Sequence, residues 1–442
     1  MQRNKAEWAS GLLAACIGGG LAGCAVTPVA TPAYGEADFV GSQPASLQPY
    51  FSQLYREGER NAVLNFDRLG VAALVNHQYD IAKRAFDQSI LRIDAFRTAG
   101  SDLKAAKSTF QEEASKDFKG EPYERGMAFY YRGLLYFHDG DFSNAGASFA
   151  RVNVEDSQAE GEQYQADYAS MKLLNAWALK CQGDQSTSPD LYSQATRMRA
   201  ELSGIDYRES SLLIIETGLG PRKVGRGQYS EKLSWEDGGD DTSMPEVSLS
   251  GTSLASPVLA ESLMYQASTR GGRPVEYLLA GKAQFKDVAN TTAAVSAGVS
   301  AGAMQVANIQ AATGQYNQAL SSAYVAIGAA VFSMFSKMAA NSAKPAADTR
   351  GWESIPGSLW LETPPTSSTT GGLSGIAVTE SGSTHQPDLI GQSGACSVAW
   401  VRTSSVPPPH ADKVEKIDST AEARARLKSF QAQLPSLFAG AQ

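Results

Sequence analysis

Apolar and aromatic side chains recur at three- and four-residue spacing from Tyr50 to about Leu202, with capping and turn residues between the runs. This pattern predicts a set of antiparallel helices. Around Gly204 the period changes: Ser211 to Thr217 is a short Leu/Ile run closed by Gly218-Leu219-Gly220-Pro221, which reads as a strand entering a turn. Val224 to Leu254 continues as strands and loops, with an acidic loop from Glu236 to Asp241, and helices return after Pro274. From Val288 to Ser336 there is no charged residue, and Ala294, Gly298 and Gly302 stand at four-residue spacing. That suits two closely packed helices divided near Gly314. Ser358 to Glu362, Gly375 to Thr379 and Cys396 to Arg402 alternate as strands do, and Thr420 to Gln433 predicts a charged, exposed, loosely attached helix after Val406-Pro407-Pro408-Pro409.

Within the helical block the spacing repeats. Gly133, Tyr136, Gly140, Ala145 and Phe149 occupy the small and aromatic positions of a tetratricopeptide (TPR) unit, and Leu69, Gly70, Ala82, Phe86 and Ser89 match them. In the earlier copy His77 stands where the turn glycine belongs. A degenerate third copy has Ala176, Leu179 and Gly183 in register before Pro189 disrupts it. The wide gap between Gly70 and Gly133 predicts an extra inserted helix from about Leu103 to Phe118. The fold class expected is mainly α, with TPR-like helical hairpins of the α-solenoid kind and a smaller β or α+β C-terminal region.

The first residues carry a different signal. Arg3 and Lys5 precede an uncharged stretch from Ala9 to Gly20, and Leu21-Ala22-Gly23 then leads into Cys24, which resembles the export and acylation signal of bacterial lipoproteins. Leu13-Ala14-Ala15-Cys16 fits the same pattern but leaves too short an apolar run. Lipid on Cys24 would anchor the body without a spanning helix, and Ala25 after the cysteine resembles the outer-membrane sorting rule. The expected organisation is a signal peptide over 1–23, a flexible tether over 24–49 and a TPR-like domain over 50–203. A strand and loop region over 204–257, a helical hairpin region over 258–345, a small β module over 346–405 and a Pro-rich linker with terminal helix over 406–442 complete it.

A net charge of −8 without a dense basic stripe argues against a nucleic-acid partner. With Cys24 acylated and Cys16 removed, Cys181 and Cys396 remain, either as a long-range disulfide in an oxidising compartment or as two free thiols. No Cys/His cluster has metal-ligand spacing, and no cofactor is expected. Gly251-Thr252-Ser253-Leu254-Ala255-Ser256-Pro257 nearly reproduces the nucleophile segment of subtilisin-like proteases. His77 and His138 are the only upstream histidines and both fall in or beside TPR turns, while Glu261 stands where that motif wants a small residue. Gly218 to Gly225 superficially resembles a phosphate loop, yet Pro221 removes a backbone donor; it reads as a basic turn whose Arg222, Lys223 and Arg226 could touch an anionic partner.

The acylation signal, the Glu124-Arg125 helix start leading into Tyr131 to Phe149, the Gly218-x-Gly-Pro-x-Lys223 turn and the Ala347-Asp348-Thr349-Arg350-x-Trp352 segment together resemble a family of uncharacterised bacterial TPR-containing lipoproteins. The Gly/Ser-rich stretch from Ser367 to Gly394 and the missing glycine at His77 depart from its pattern. The resemblance implies association with other envelope lipoproteins that serve peptidoglycan synthesis. The expectation is a noncatalytic, outer-membrane-anchored scaffold that binds an envelope protein or peptide through Tyr130, Phe137 and His138. The alternatives are an envelope serine hydrolase using Ser253 and a membrane-active assembly protein using 288–336.

Overall fold

A computed structural model describes residues 35–98, 117–157, 166–269, 346–365, 373–409 and 420–441, apart from 229, 239–242 and 395. Helices α1 (Glu36–Gly41), α2 (Gln48–Glu57), α3 (Ala62–Val75), α4 (Tyr79–Thr98), α5 (Pro122–His138), α6 (Phe142–Asp156), α7 (Ala169–Cys181) and α8 (Thr187–Met198) form the first layer. Strands β1 (Ser211–Thr217), β2 (Arg222–Arg226), β3 (Lys232–Glu236), β4 (Glu246–Leu249), β5 (Thr252–Ser253) and β6 (Val258–Ser262) follow, then the short α9 (Leu263–Ser268). After residue 345 come β7 (Ser358–Glu362), β8 (Ile376–Glu380), β9 (Ser383–His385), β10 (Leu389–Ser393), β11 (Cys396–Arg402) and the terminal α10 (Ala421–Leu437).

The repeat spacing has a direct steric meaning. A Cβ on Gly70 would stand 2.6 Å from the Phe86 ring, and one on Gly133 would stand 2.6 Å from the Phe149 ring. In both hairpins a phenylalanine of the second helix therefore lies against bare backbone of the first, which draws α3 to α4 and α5 to α6. The turns also coincide: His77, Gly140 and Gly183 all have positive φ, at 56°, 74° and 85°. Glycine meets that requirement freely, whereas His77 holds it through bonds of its ring and of Tyr79 to the Asp388 carbonyl. Pro189 does not disrupt the third hairpin, because it lies in the first turn of α8, where a helix leaves its N–H groups unpaired.

The Leu/Ile run of β1 is buried on both faces, because layers cover both. The five-stranded sheet runs β10-β11-β1-β7-β6, with β1 parallel to β11 and antiparallel to β7. Leu212, Ile214, Leu359, Leu361, Val398 and Trp400 join the helical core. The alternate residues Leu213, Ile215, Trp360, Ala399 and Val401 pack with Val247, Leu249, Ile376 and Val378 of a second sheet, β5-β4-β8-β9. Helices, central sheet and outer sheet are thus three layers, with β2-β3 a separate hairpin.

Several boundaries differ from expectation. Residues 36–49 are not tether: Phe39 is buried and packs on Phe51 and Tyr55, so an apolar anchor folds this stretch onto the helices. Phe118 is buried but non-helical, while 103–116 lie outside the described residues. Val258–Ser262 is an edge strand of the central sheet rather than the start of a helical region, because it extends the β7 ladder; the hairpin expected over 288–336 lies outside the described residues. Residues 346–405 are not a module of their own. Their β7 and β11 flank β1, and β8 pairs with β4, so the two halves of the β region complete each other's sheets. The stretch from Ser367 to Gly394 supplies β8, β9 and β10. The terminal helix is docked, since Phe430, Leu434 and Phe438 are buried against Phe51 and Phe66.

Gly133→Ala and Gly70→Ala should each destabilise the fold by about 1–3 kcal/mol through overpacking, more than the ~1 kcal/mol that alanine gains in helix propensity. Urea unfolding checks this, and Gly133→Ala combined with Phe149→Leu should recover some of the loss.

Candidate functional site

The residues with the greatest chemical content lie where the helical layer meets the β region. Helix α5 opens with Glu121, Pro122 and Glu124 as a capping box, in which Glu124 Oε2 accepts from the Glu121 backbone N–H at 2.7 Å. The same oxygen accepts from Lys223 Nζ at 2.5 Å, and Oε1 accepts from the Trp352 N–H at 2.8 Å. One carboxylate thus collects donors from its own helix, from β2 and from the loop before β7. Glu124 and Lys223 are both buried. Desolvation pushes the Glu124 carboxyl above its usual value, and the Lys223 ammonium opposes that shift.

Neighbouring charges extend the cluster. Lys223 Nζ also donates to the Arg350 carbonyl at 3.0 Å, and Arg350 donates to Asn61 Oδ1 at 2.6 Å and to Asp348 at 2.6 Å. Burial raises Asp348, but hydrogen bonds from Arg350 and its charge outweigh burial and leave the carboxyl below its usual range. Arg68 of α3 donates to the Gly351 carbonyl at 2.8 Å and pairs with Glu353 at 2.7 Å. The Glu124, Gly218-to-Lys223 and Ala347-to-Trp352 segments, far apart in sequence, are therefore brought together around a single side chain.

A second cluster fastens α5 to the central sheet. Glu216 accepts from Trp400 Nε1 at 3.0 Å, from the Tyr131 hydroxyl at 3.0 Å and from Arg402 Nη1 at 2.8 Å. All four residues are buried, and desolvation raises Glu216 against the pull of Arg402. Its carboxylate is saturated by these donors, as that of Glu124 is by its own. Such clusters hold elements in register rather than present a reactive group to a substrate.

The residues expected at a binding face fall elsewhere. Tyr130 and Phe137 are fully buried in the core, so neither faces a groove: Phe137 packs on Phe142 and Phe149 of α6, and Tyr130 on Tyr131 and Phe149. His138 is half-buried, stacks 4.2 Å from Tyr79 and lies 3.2 Å from the Ile390 carbonyl through Nδ1. It lines a cleft of 440 Å³ with Asp139, Gly140, Leu373, Ser374, Ile390 and Gln392. The hairpin turns cover the β10 edge closely: a Cβ on Gly391 would stand 1.9 Å from the Phe137 carbonyl oxygen. Cys181, ending α7, and Cys396, opening β11, are joined as a disulfide with Cα atoms 5.7 Å apart. Cys24 and residues 288–336 lie outside the described residues.

Ser253 is exposed on the two-residue β5 opposite Ser248, whereas His77 and His138 bond to carbonyls of Asp388 and Ile390 beside β10. The basic turn is not a free cationic patch: Lys223 is buried on Glu124, and Arg222 and Arg226 both pair with Glu236 across the β2-β3 hairpin. Among the described residues no group of three or more His, Cys, Asp or Glu could hold a metal ion. Sequence reasoning missed Glu216, Arg402 and Glu261, because burial of each charge follows from pairings that cross the chain. No protein-family model, curated protein or solved structure matches this chain. Fold and site together define a mainly helical α and β body whose layers are fastened by buried charge.

Two expectations follow. Glu124→Leu and Lys223→Leu should each destabilise by about 3–5 kcal/mol, because each strips a buried charge of its nearest partner, while the double variant loses less than the sum. A double-mutant cycle in urea checks this. Glu261, held by Ser170, Gln266 and more distantly Arg199, is raised by burial to about 7. A carboxyl whose folded value is raised lends stability that is complete below its unfolded value of 4.5 and fades as pH climbs to about 7. Glu261→Gln should therefore remove up to about 3 kcal/mol of that fall, as read by stability curves between pH 4 and pH 8. Glu362, raised by burial to about 7 as well, contributes to the slope that remains, as do the raised carboxyls of Glu124 and Glu216.

Proposed function

We propose that the chain is a lipid-anchored lipoprotein of the bacterial cell envelope, a noncatalytic scaffold built on TPR-like, α-solenoid-type hairpins that binds an envelope protein or peptide. The observation that carries the reading is the recurrence of one contact, Gly70 under Phe86 and Gly133 under Phe149, with a left-handed turn residue at the same offset in each hairpin. That recurrence is what stacked repeats of this type require. The Cys181–Cys396 disulfide supports an oxidising compartment. The anchor rests on the export and acylation signal, from Arg3 and Lys5 through the uncharged Ala9 to Gly20 stretch to Leu21-Ala22-Gly23-Cys24. Because Tyr130 and Phe137 are internal, the scaffold's partner surface is an outer one.

Two measurements test the two halves of this reading. Metabolic labelling with a palmitate analogue should mark the native protein and leave Cys24→Ala unlabelled; an unlabelled wild type contradicts the anchor. A fluorophosphonate probe should leave Ser253 unmodified, and Ser253-dependent labelling would replace the scaffold with a hydrolase. Cysteines 181 and 396 should resist alkylation in protein drawn from the envelope until it is reduced, whereas ready alkylation would place the chain in a reducing compartment.

A further inference from the structure

Helix α10 is joined to the body in an unusual way. Leu427, Phe430, Leu434 and Phe438 form a seam at spacings of three, four and four residues, with Leu437 beside its end also packed on the core. Phe430, Leu434 and Phe438 are buried, whereas Glu422, Arg424, Arg426, Lys428, Ser429, Gln433 and Ser436 around the rest of the helix are exposed. This is the pattern of an amphipathic helix laid in a groove and anchored on one face.

The groove belongs to the first helical hairpin and the elements before it. Phe438 meets Phe51 of α2 edge-on at 4.9 Å, and Phe430 meets Phe66 of α3 at 6.1 Å. The Arg92 guanidinium of α4 lies 4.9 Å from the Phe66 ring and 5.6 Å from the Phe430 ring. Gly58 makes room for the first anchor: with φ at +64°, it would place a Cβ 2.5 Å from Leu427 Cδ1. Polar contacts fix direction at both ends. Arg426 pairs twice with Asp117 at 2.8 Å, Gln431 donates to the Tyr55 carbonyl at 3.0 Å, and Arg84 Nη1 donates to the Leu437 carbonyl at 3.1 Å, where the helix leaves acceptors open. The helix does not stand well alone. It is 17 residues long and contains Pro435, so its conformation is supported by the groove more than by its own propensity.

We propose that this groove is a helix-recognition site, that α10 is its tethered occupant, and that the partner it accepts is an amphipathic helix with a Leu-x2-Phe-x3-Leu-x3-Phe seam and an arginine beside the first leucine. The proposal deepens the scaffold reading, on which it rests for the site's use, by naming the surface and the chemistry of the partner. Residues 410–419 connect the helix to the Pro407-Pro408-Pro409 run, in which the Pro407 carbonyl accepts from the Tyr50 hydroxyl at 3.0 Å. Because α10 belongs to the same chain as the groove, its rebinding is intramolecular and a partner must outcompete it.

The test uses the full chain with a protease recognition sequence placed within residues 410–419. After cleavage, a fluorescent peptide of residues 420–442 is added and exchange is followed by anisotropy. The expected result is that the cleaved body retains its cooperative unfolding, takes up the labelled peptide and releases its own segment. The same peptide carrying Phe430→Ala and Leu434→Ala binds at least about 100-fold more weakly, and the uncleaved chain binds the native peptide at least about 100-fold more weakly than the cleaved one. Absence of exchange, equal binding of the alanine peptide, or unfolding of the body once its segment leaves would each overturn the proposal by making α10 an ordinary element of the core. None of these results depends on acylation or on an envelope partner, so failure here leaves the lipid-anchor and scaffold reading standing.

Discussion

The buried Glu124 carboxylate is the constraint on which the rest depends. Alone in the interior it would cost several kcal/mol, and it is tolerated because three donors meet it: the Glu121 N–H, the Lys223 ammonium and the Trp352 N–H. These donors come from a helix start, a hairpin strand and a loop that are distant in sequence. If any of them is displaced, a charge or a polar group is left stranded, so the three segments are held in a single arrangement. Glu216 repeats the arrangement one layer further in, with Trp400, Tyr131 and Arg402 in place of the backbone donors.

This seam explains why the hairpins present no open inner face. In a free-standing repeat array the first helices line a concave surface, whereas here Tyr131 bonds to the sheet and Phe137 lies beneath the β10 edge. The central sheet fills the space that a ligand would otherwise take. Under the proposed scaffold reading the partner surface lies on the outside of the helices, and the groove under α10 is where an outer helix is already received.

How far the chain could be read beforehand follows from the range of the interactions. The hairpins were legible because their packing rule acts over short spans: glycine and phenylalanine sixteen residues apart touch in both copies, and the turn position lies seven residues past the glycine. The strands β1, β7 and β11 were legible as strands from their apolar runs. Their partnership was not, since Ser211 pairs with Ser397 and Leu213 with Glu362, and nothing local in either segment names the other. For the same reason residues 346–405 looked like a separate module. Tyr130 and Phe137 were assigned to a groove by analogy with open arrays, yet both are buried in the core with Phe149 of the paired helix against them. Of the charged clusters, only the capping box at Glu121 and Glu124 has a local signature, and its bonds to Lys223 and Trp352 do not.

The central claim is that buried charge unites the helical layer and the sheets in a single cooperative body. It is tested most directly by urea unfolding of a Trp177→Phe variant with Cys181 and Cys396 reduced, following helix by circular dichroism and the sheet and seam by the fluorescence of the remaining tryptophans. The account predicts a single midpoint for both signals. Two separated midpoints, with the helices and the sheet melting independently, would contradict it.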